Sequence, residues 1–279
     1  MRKIAGIIAL DLDGTLLNSR KELSPGNRAA LERAAEAGYE IVPTTGRFYG
    51  GMPQTIRELP FVRYAITING AEVADLFTGE VMYKAEIPWQ QTVELMAWLD
   101  TMPVIYDCYM DNGGWMSIPL KEKIDETVDD AHYRKMLHEL RKPVSELKEF
   151  LTQRGQDVQK VQFFTRDAQL RLELMKSIPE KFPGLVTSSS QVQNVEINAM
   201  AANKGDALMA LARRLGVAEE ATLAFGDGNN DLSMLRRAGV GIAMDNAEAD
   251  VKAAADHITL SCDEDGVARG IEKFCFGLN

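Results

Sequence analysis

The stretch Ile7-Ile8-Ala9-Leu10-Asp11-Leu12-Asp13-Gly14-Thr15-Leu16 decides the fold. It begins as a short apolar run, the composition of a strand buried on both faces of a parallel sheet. The run ends in two acidic residues two positions apart. In an extended chain these point to the same side. Asp11 and Asp13 therefore converge at a strand's C-terminal edge, where open α/β sheets bind their ligands. Gly14 lets the chain turn away with its backbone close to whatever binds there.

Working outward, Leu16 to Leu23 reads as a small hairpin turning at Asn18-Ser19-Arg20. Ser24-Pro25 reads as the N-cap and first position of a helix that Gly38 ends. Tyr39 to Pro43 is expected as a second strand, followed by Thr44-Thr45-Gly46-Arg47. A helix is expected from Gln54 to Leu59. A third strand spans Arg63 to Ile68 and ends in Asn69-Gly70-Ala71, and a hairpin at Glu72 to Lys84 turns at Thr78-Gly79.

From Ala85 the pattern changes. Trp89 to Leu99 has helical periodicity, and Val104 to Ile118 alternates around Asn112-Gly113-Gly114, a hairpin signal. Lys121 to Gln153 is charged and amphipathic and predicts two helices broken at Pro143. Val158 to Thr165 is a strand, Asp167 to Ile178 a helix, and Leu185 to Ser190 with Val192 to Ile197 a strand pair. Strand–helix alternation then returns with Lys204 to Leu215, Thr222 to Phe225, Leu232 to Ala238, Val240 to Ala243, Ala247 to Ala255, His257 to Leu260 and Asp265 to Phe274.

The expected architecture is α/β: a Rossmann-like, doubly wound parallel-sheet core with an inserted α+β cap domain. Residues 1–84 and 196–279 form the two parts of the core, and residues 85–195 the insertion.

The composition excludes several function classes. The 279 residues are 46% hydrophobic, enough for one large or two medium domains with real cores. There is no apolar run near 18 residues, so no membrane partner is expected. Met1-Arg2-Lys3 is basic, but the apolar run stops at Asp11, which makes a poor signal peptide. The net charge of −10 argues against a nucleic-acid partner, which needs a basic face. Cys108, Cys262 and Cys275 are odd in number and lack metal spacing, which fits a reduced cytoplasmic compartment. No oligomeric state is read from the chain.

Three further stretches carry chemistry. Thr45 and Gly46 place a hydroxyl beside a glycine N–H after a strand, a small anion cradle or simply a turn. Lys204 opens a helix against the dipole preference, a mild misfit that hints at pairing with carboxylates or a phosphoryl oxygen; a solvated surface lysine is the plain alternative. Gly226-Asp227-Gly228-Asn229-Asn230-Asp231 crowds two carboxylates and two amides at a strand end. Such a loop suits Mg²⁺, which prefers oxygen ligands; an Asx-rich turn is the plain alternative. A calcium loop would need a terminal Glu that is absent.

Taken in order, Asp11/Asp13, Thr45, Lys204 and Asp227/Asp231 resemble the four motifs of the haloacid dehalogenase superfamily. Asn69-Gly70-Ala71 and the long insertion before Lys204 are similar to its Cof-type branch, phosphatases with a C2-type cap. Ala201-Ala202-Asn203 stands where that branch more often has a Val-Ser pair, a change with no expected chemical effect.

The resemblance implies Asp11 as the nucleophile, forming an aspartyl-phosphate, and Asp13 as the general acid/base. It implies Thr45, Gly46, Lys204, Asn69 and Asn230 around the phosphate. Mg²⁺ would be held by Asp11, the backbone carbonyl of Asp13 and Asp227, with Asp231 nearby. In this scheme the metal keeps Asp11 ionised while Asp13 can hold a proton. An acid at position 13 favours phosphate-ester or phosphomutase chemistry over carbon–halogen cleavage. The expected activity is Mg²⁺-dependent hydrolysis of a small phosphorylated metabolite: a sugar phosphate, pyridoxal phosphate, flavin mononucleotide or a nucleotide. A phosphomutase and a non-catalytic phosphometabolite-binding regulator are the alternatives. The insertion is expected to cover the sheet edge and choose the substrate, with its hairpin near Asn112 to Trp115 reaching the pocket. Trp115 is read either as packing or as an aromatic near the entrance. His132, His138 and His257 are read as ordinary surface or core residues, and Trp89 and Trp98 as cap packing.

Overall fold

The run Ile7–Leu10 lies in the strand Gly6–Leu10, whose residues are all buried. It sits inside a five-stranded parallel sheet of order His257–Ile258, Val240–Ala243, Thr222–Gly226, Gly6–Leu10, Tyr39–Pro43. Continuous apolar sequence is what burial on both faces requires. Ile7, Ala9, Val42 and Ala224 pack with Leu208 and Leu211 of the helix Lys204–Leu215 and with Met234 and Leu235 of Leu232–Arg237. Phe225 points to the other face, where Gly270 of the helix Gly266–Phe276 leaves room for its ring. That helix packs beside Pro25–Glu36, which starts as expected at Ser24, whose hydroxyl accepts from the Asn27 N–H.

The structure is a computed structural model and describes residues 4–189 and 191–278. Met1-Arg2-Lys3 and Ser190, the expected end of a strand, lie outside the described residues, as does the side chain of His132. Two compact units make up the chain: residues 1–47, 52–84 and 201–279 form the first, and 48–51 with 85–200 the second.

In the first unit the chain leaves Gly6–Leu10 toward Tyr39–Pro43 on one side, and Thr222–Gly226 flanks it on the other. That reversal makes a crevice at the C-terminal strand ends. Backbone bonds pin the three ends together: Asp11 N–H to Phe225 O at 3.0 Å and Thr44 N–H to Leu10 O at 2.7 Å. The third expected strand, Tyr64–Thr67, starts a separate antiparallel sheet with Glu72–Asp75 and Val81–Lys84. Among the described residues it meets the parallel sheet through one bridge, Thr44 to Ile66, while the hairpin that follows pairs along its other edge.

The second unit holds a six-stranded sheet of order Leu185–Ser188, Asn194–Ala199, Lys160–Phe164, Ile105–Met110, Gly113–Ser117, Arg141–Val144. Helices Trp89–Leu99, Leu147–Arg154 and Ala168–Lys181 cover one face through Cys108, Met110, Val161, Phe163, Val195 and Ile197. The expected hairpin is present, but it turns at Asp111 and Asn112, both at positive φ, one residue before the Asn112-Gly113 pair, whose glycines lie in the strand Gly113–Ser117.

Two details differ from expectation. Residues 121–153 are not two helices broken at Pro143. Short helices at Ile118–Lys121 and Ile124–Thr127 and a longer one at Ala131–Leu140 lead into the strand Arg141–Val144, and only then comes Leu147–Arg154. Pro143 is tolerated there because that strand is the sheet's edge. The unit's bounds also differ: it takes in residues 48–51, expected in the core, and it runs to Met200 rather than Val195, since Asn194–Ala199 is one strand that a boundary at 195 would cut.

Candidate active site

Each expected site residue in the first unit sits at a strand end or a helix start. Asp11 follows Gly6–Leu10, Thr45 follows Tyr39–Pro43, Asp227 follows Thr222–Gly226, and Lys204 opens Lys204–Leu215. Asn203 caps that last helix by accepting from the Asp206 N–H at 2.8 Å, which fixes where Lys204 starts.

The Lys204 ammonium is fully buried and donates to Asp11 Oδ1 and Asp231 Oδ1, both at 2.6 Å. Asp231 is held in turn by the N–H groups of Asp227 and Gly228, each 2.9 Å from its Oδ2. Asp227 accepts from the Thr15 hydroxyl at 2.9 Å. Gly14 has φ +86°, and a Cβ there would lie 2.4 Å from Asp227 Oδ2, so both the turn and the close approach demand glycine.

One oxygen from each of Asp11, Asp227 and Asp231 lies within 4.8 Å of the others. Three carboxylates therefore face one ammonium. Burial, reinforced by Asp231 and Asp227, pushes Asp11 up to about 8 although Lys204 pulls the other way. Burial, with Asp231, pushes Asp227 up to about 6. Burial works against the charge of Lys204, but Asp11 and Asp231 outweigh it and keep the ammonium protonated. The excess negative charge and an all-oxygen donor set fit a hard divalent cation.

The remaining expected residues gather nearby. Thr45 is buried, and its hydroxyl accepts from the Arg47 N–H at 3.2 Å. Asn69 stands at φ +57° in the turn Ile68–Gly70, its N–H bonded to Thr45 O at 3.0 Å. Asn230 Nδ2 donates to Asn69 Oδ1 at 3.2 Å. A Cβ on Gly46 would lie 2.7 Å from that same Asn69 oxygen. The structure thus joins Asp11, Lys204, Asp231 and Asp227 in one network, and Thr45, Gly46, Asn69 and Asn230 in an adjoining one.

Asp13 was expected to offer the metal only its backbone carbonyl, and its side chain has partners of its own. Its carboxylate is not in the acidic cluster; Arg47 and Lys21 engage it instead. Burial pushes it up, but Arg47 and then Lys21 outweigh burial and hold it below the ordinary carboxylate range. The expected division rests on a bound metal keeping Asp11 ionised; without one, burial pushes Asp11 up while Arg47 and Lys21 hold Asp13 low. Arg47, Lys21 and Thr15 were not singled out as site residues from sequence. Arg47 and Thr15 find their partners far along the chain and Lys21 finds its partner back across a nearby turn, and only the opening stretch and the Thr45-Gly46-Arg47 string contain any of them. His138 bonds Asp125, and His257 stacks on Phe274. Trp115 packs on Phe150 at 4.8 Å and gives its indole N–H to Met110 O, within the apolar cluster of the second unit.

A family model described as haloacid dehalogenase-like hydrolase matches residues 8–271. The chain is 31% identical over 278 residues to the phosphatase YwpJ of Bacillus subtilis (strain 168), covering 94% of this chain and 97% of that one. It is 30% identical over 273 residues to the 5-amino-6-(5-phospho-D-ribitylamino)uracil phosphatase YcsE of the same organism, covering 96% and 95%. A haloacid dehalogenase-like hydrolase from Bacteroides thetaiotaomicron, solved by crystallography, superimposes with a TM-score of 0.82 at 32% identity, covering 97% of this chain and 99% of that one. Phosphatases of this family generally use a divalent metal. With the family match, these relatives and the acidic cluster at the sheet's switch point together, the chain belongs to the haloacid dehalogenase-like hydrolases, in the Cof-type branch, and is a phosphoric monoester hydrolase.

Proposed function

We propose that this phosphatase is Mg²⁺-dependent and hydrolyses a small phosphorylated metabolite, a sugar phosphate or a similar ester, through an aspartyl-phosphate on Asp11. The observation that carries the reading is the buried Lys204 ammonium shared between Asp11 and Asp231, beside a third carboxylate that leaves the cluster negative. Mg²⁺ would be held by Asp11, Asp227 and the Asp13 carbonyl, and would neutralise charge on the phosphoryl oxygens. Asp231 already accepts from Lys204 and two N–H groups, so its part is to orient the lysine and the loop.

In the first half-reaction an Asp11 oxygen attacks phosphorus as the ester P–O bond breaks, and Asp13 gives the leaving oxygen a proton. In the second, water attacks the phosphoryl group and passes a proton to Asp13, releasing inorganic phosphate and restoring Asp11. The ionised Asp13 of the substrate-free protein suits this second half directly; for the first half it must arrive protonated. Lys204 transfers its hydrogen bonding from Asp11 toward a phosphoryl oxygen as charge moves there. Thr45, the Gly46 N–H, Asn69 and Asn230 surround the same group.

The second unit holds none of these side chains, and the proposal gives it the choice of leaving group. One relative's named substrate, a phosphoribityl compound, is a small metabolite of the proposed kind. A reducing cytoplasmic setting is part of the reading, supported by three cysteines that all stand free.

The test is a metabolite-phosphate screen with Mg²⁺, followed by acid quenching and mass analysis for a phosphoryl adduct on the peptide carrying Asp11. Turnover that survives EDTA, or an adduct on a different residue, overturns the proposal.

A further inference from the structure

Arg47 has a part that the four motifs do not assign. Its guanidinium meets the Asp13 carboxylate as a fork, Nε to Oδ2 at 2.8 Å and Nη2 to Oδ1 at 2.8 Å. Lys21 Nζ reaches the same carboxylate at 3.0 Å. The two cations are not equivalent. The Lys21 side chain is 54% exposed and that of Arg47 30%. Water and salt screen the lysine, and a single ammonium fixes distance but not orientation. The planar fork fixes both.

The root of the fork is itself fixed. Arg47 N–H donates to Thr45 Oγ1, and Arg47 O accepts from the Ile68 N–H at 3.0 Å. Ile68 and Asn69 then stand at φ +53° and +57° and Gly70 at +96°. Left-handed backbone at a β-branched residue such as Ile68 is unfavourable and persists only where the surroundings over-determine it. On the other side, Lys21 is also left-handed, at φ +63°, in a turn closed by Asn18 Oδ1 accepting from the N–H groups of Arg20 and Glu22. Two strained, well-tied loops therefore converge on one carboxylate.

A carboxylate on a short side chain has several rotamers, and proton transfer needs one of them at hydrogen-bond reach of the reacting oxygen. We propose that Arg47 is a positioning residue: its fork holds Asp13 in the orientation from which Asp13 exchanges a proton with the leaving oxygen and with water. This rests on the role given to Asp13 under the proposed function. Arg47 acts through Asp13, so its removal lowers kcat and leaves KM nearly unchanged.

The experiment compares Arg47→Ala, Arg47→Gln and Arg47→Lys with Asp13→Asn, alone and combined, on an alkyl phosphate and on p-nitrophenyl phosphate with Mg²⁺. Arg47→Ala is expected to lower kcat about 10²-fold on the alkyl ester and less than about tenfold on the aryl ester, a share of the 10²–10⁴-fold that a positioned acid or base supplies. KM should move by less than about threefold, and Arg47→Lys, which keeps the charge but loses the fork, should recover little. On the Asp13→Asn background Arg47→Ala should add no further loss, because its only route is gone. Arg47→Gln serves if the alanine variant melts early. A KM that rises equally on both esters assigns Arg47 to the phosphate and overturns the inference; so does full rescue by lysine, or an additive double variant. If Asp13→Asn itself fails to discriminate the esters, the role of Asp13 falls and this inference with it. If Asp13→Asn discriminates and Arg47→Ala does not, only this inference falls.

Discussion

Both units bury acids beside cations, in opposite proportions. In the second unit Asp107 meets Arg141 at 3.1 Å with both side chains fully buried, and Lys160 meets Glu196 at 3.3 Å. Each acid there has its own cation. Gln162 adds a bond to Asp107 at 2.8 Å, and the Tyr109 hydroxyl accepts from Arg141 at 2.8 Å. In the first unit Asp11, Asp227 and Asp231 cluster around one cation, Lys204, which pairs with Asp11 and Asp231. A buried charge without a partner is costly, and the matched set avoids that cost while the unmatched one retains it. The difference separates a sheet face whose acids and cations are equal in number, although Asp107 Oδ1 and Arg141 Nε and Nη1 find no hydrogen-bond partner there, from a cluster whose acids outnumber its cation. Burial of charge alone would have flagged both.

The largest expected effect tests that asymmetry. Asp11→Asn should lower turnover by roughly 10⁴–10⁶-fold, the scale seen when a covalent nucleophile is lost. The exchange alters almost no volume and takes one carboxyl from a buried cluster in which acids outnumber the cation. The metal-free variant should therefore melt at or above the parent's temperature, as expected where a site carries strain for function. A variant that keeps near-parental hydrolysis breaks the nucleophile assignment. One that melts well below the parent shows that Asp11 was a stabilising partner of Lys204 like those in the second unit.

Asp13 is the intermediate case, an acid of the first unit with cations to spare. Asp13→Ala should cost about 10²–10⁴-fold on alkyl phosphates and clearly less on p-nitrophenyl phosphate, whose leaving group needs little help. Equal losses on both esters remove leaving-group protonation from the scheme. The base step is common to both substrates, so the difference between the two losses is the informative quantity.

The matched set makes the opposite prediction for stability. Asp107→Asn or Arg141→Met alone leaves a buried charge alone and should cost about 3–5 kcal/mol in urea unfolding. Asp107→Leu with Arg141→Met removes both charges and should recover most of that loss. If the double variant is as unstable as the singles, the pair is held by geometry that apolar side chains cannot replace, and its contrast with the Asp11 cluster weakens.

The sequence makes the first unit's site legible and leaves much of the second unit's middle obscure, for physical reasons. Asp11 and Asp227 lie at the ends of apolar runs, where pattern and chemistry coincide. Lys204 advertises itself by opening a helix against the dipole. The capped helix at Ser24 and the Asn112 turn rest on local rules, and local rules transfer. Pro143 misleads because proline breaks a helix or marks an edge strand with equal ease, and which one applies depends on Met116 pairing opposite it, far away in sequence. Arg47 was readable only as part of a turn, since nothing local says that its fork closes on Asp13. Lys21 left still less trace, being a left-handed residue in a turn without glycine.

The smallest effect calibrates the comparison with an ion pair that is only half buried. Asp75 is 5% exposed and Arg63 45%. Arg63 donates to Asp75 Oδ2 from Nε at 3.0 Å and Nη2 at 2.7 Å, and the N–H groups of Phe77 and Thr78 donate to Oδ1 at 2.9 and 3.3 Å. Burial pushes this carboxyl up, but the Arg63 and backbone bonds outweigh it and hold it below its ordinary value of 3.8. An acid held low in the folded state adds stability that is complete above its unfolded value and is lost as pH falls through the folded one. Asp75→Asn keeps the shape and the turn acceptor and loses only the charge. It should cost about 1 kcal/mol at pH 7, the excess of a charged hydrogen bond over a neutral one. That deficit should shrink as the pH falls below about 4, measured as the difference between parent and variant in urea unfolding. Arg63→Ala should cost less than Asp75→Asn, because solvent already screens the guanidinium while the backbone N–H groups still hold the carboxylate. A deficit that is constant from pH 7 to pH 2.5 would mean that Asp75 acts through shape alone. The ranking of fully buried, half-buried and unmatched acids by charge would then have lost its lowest rung.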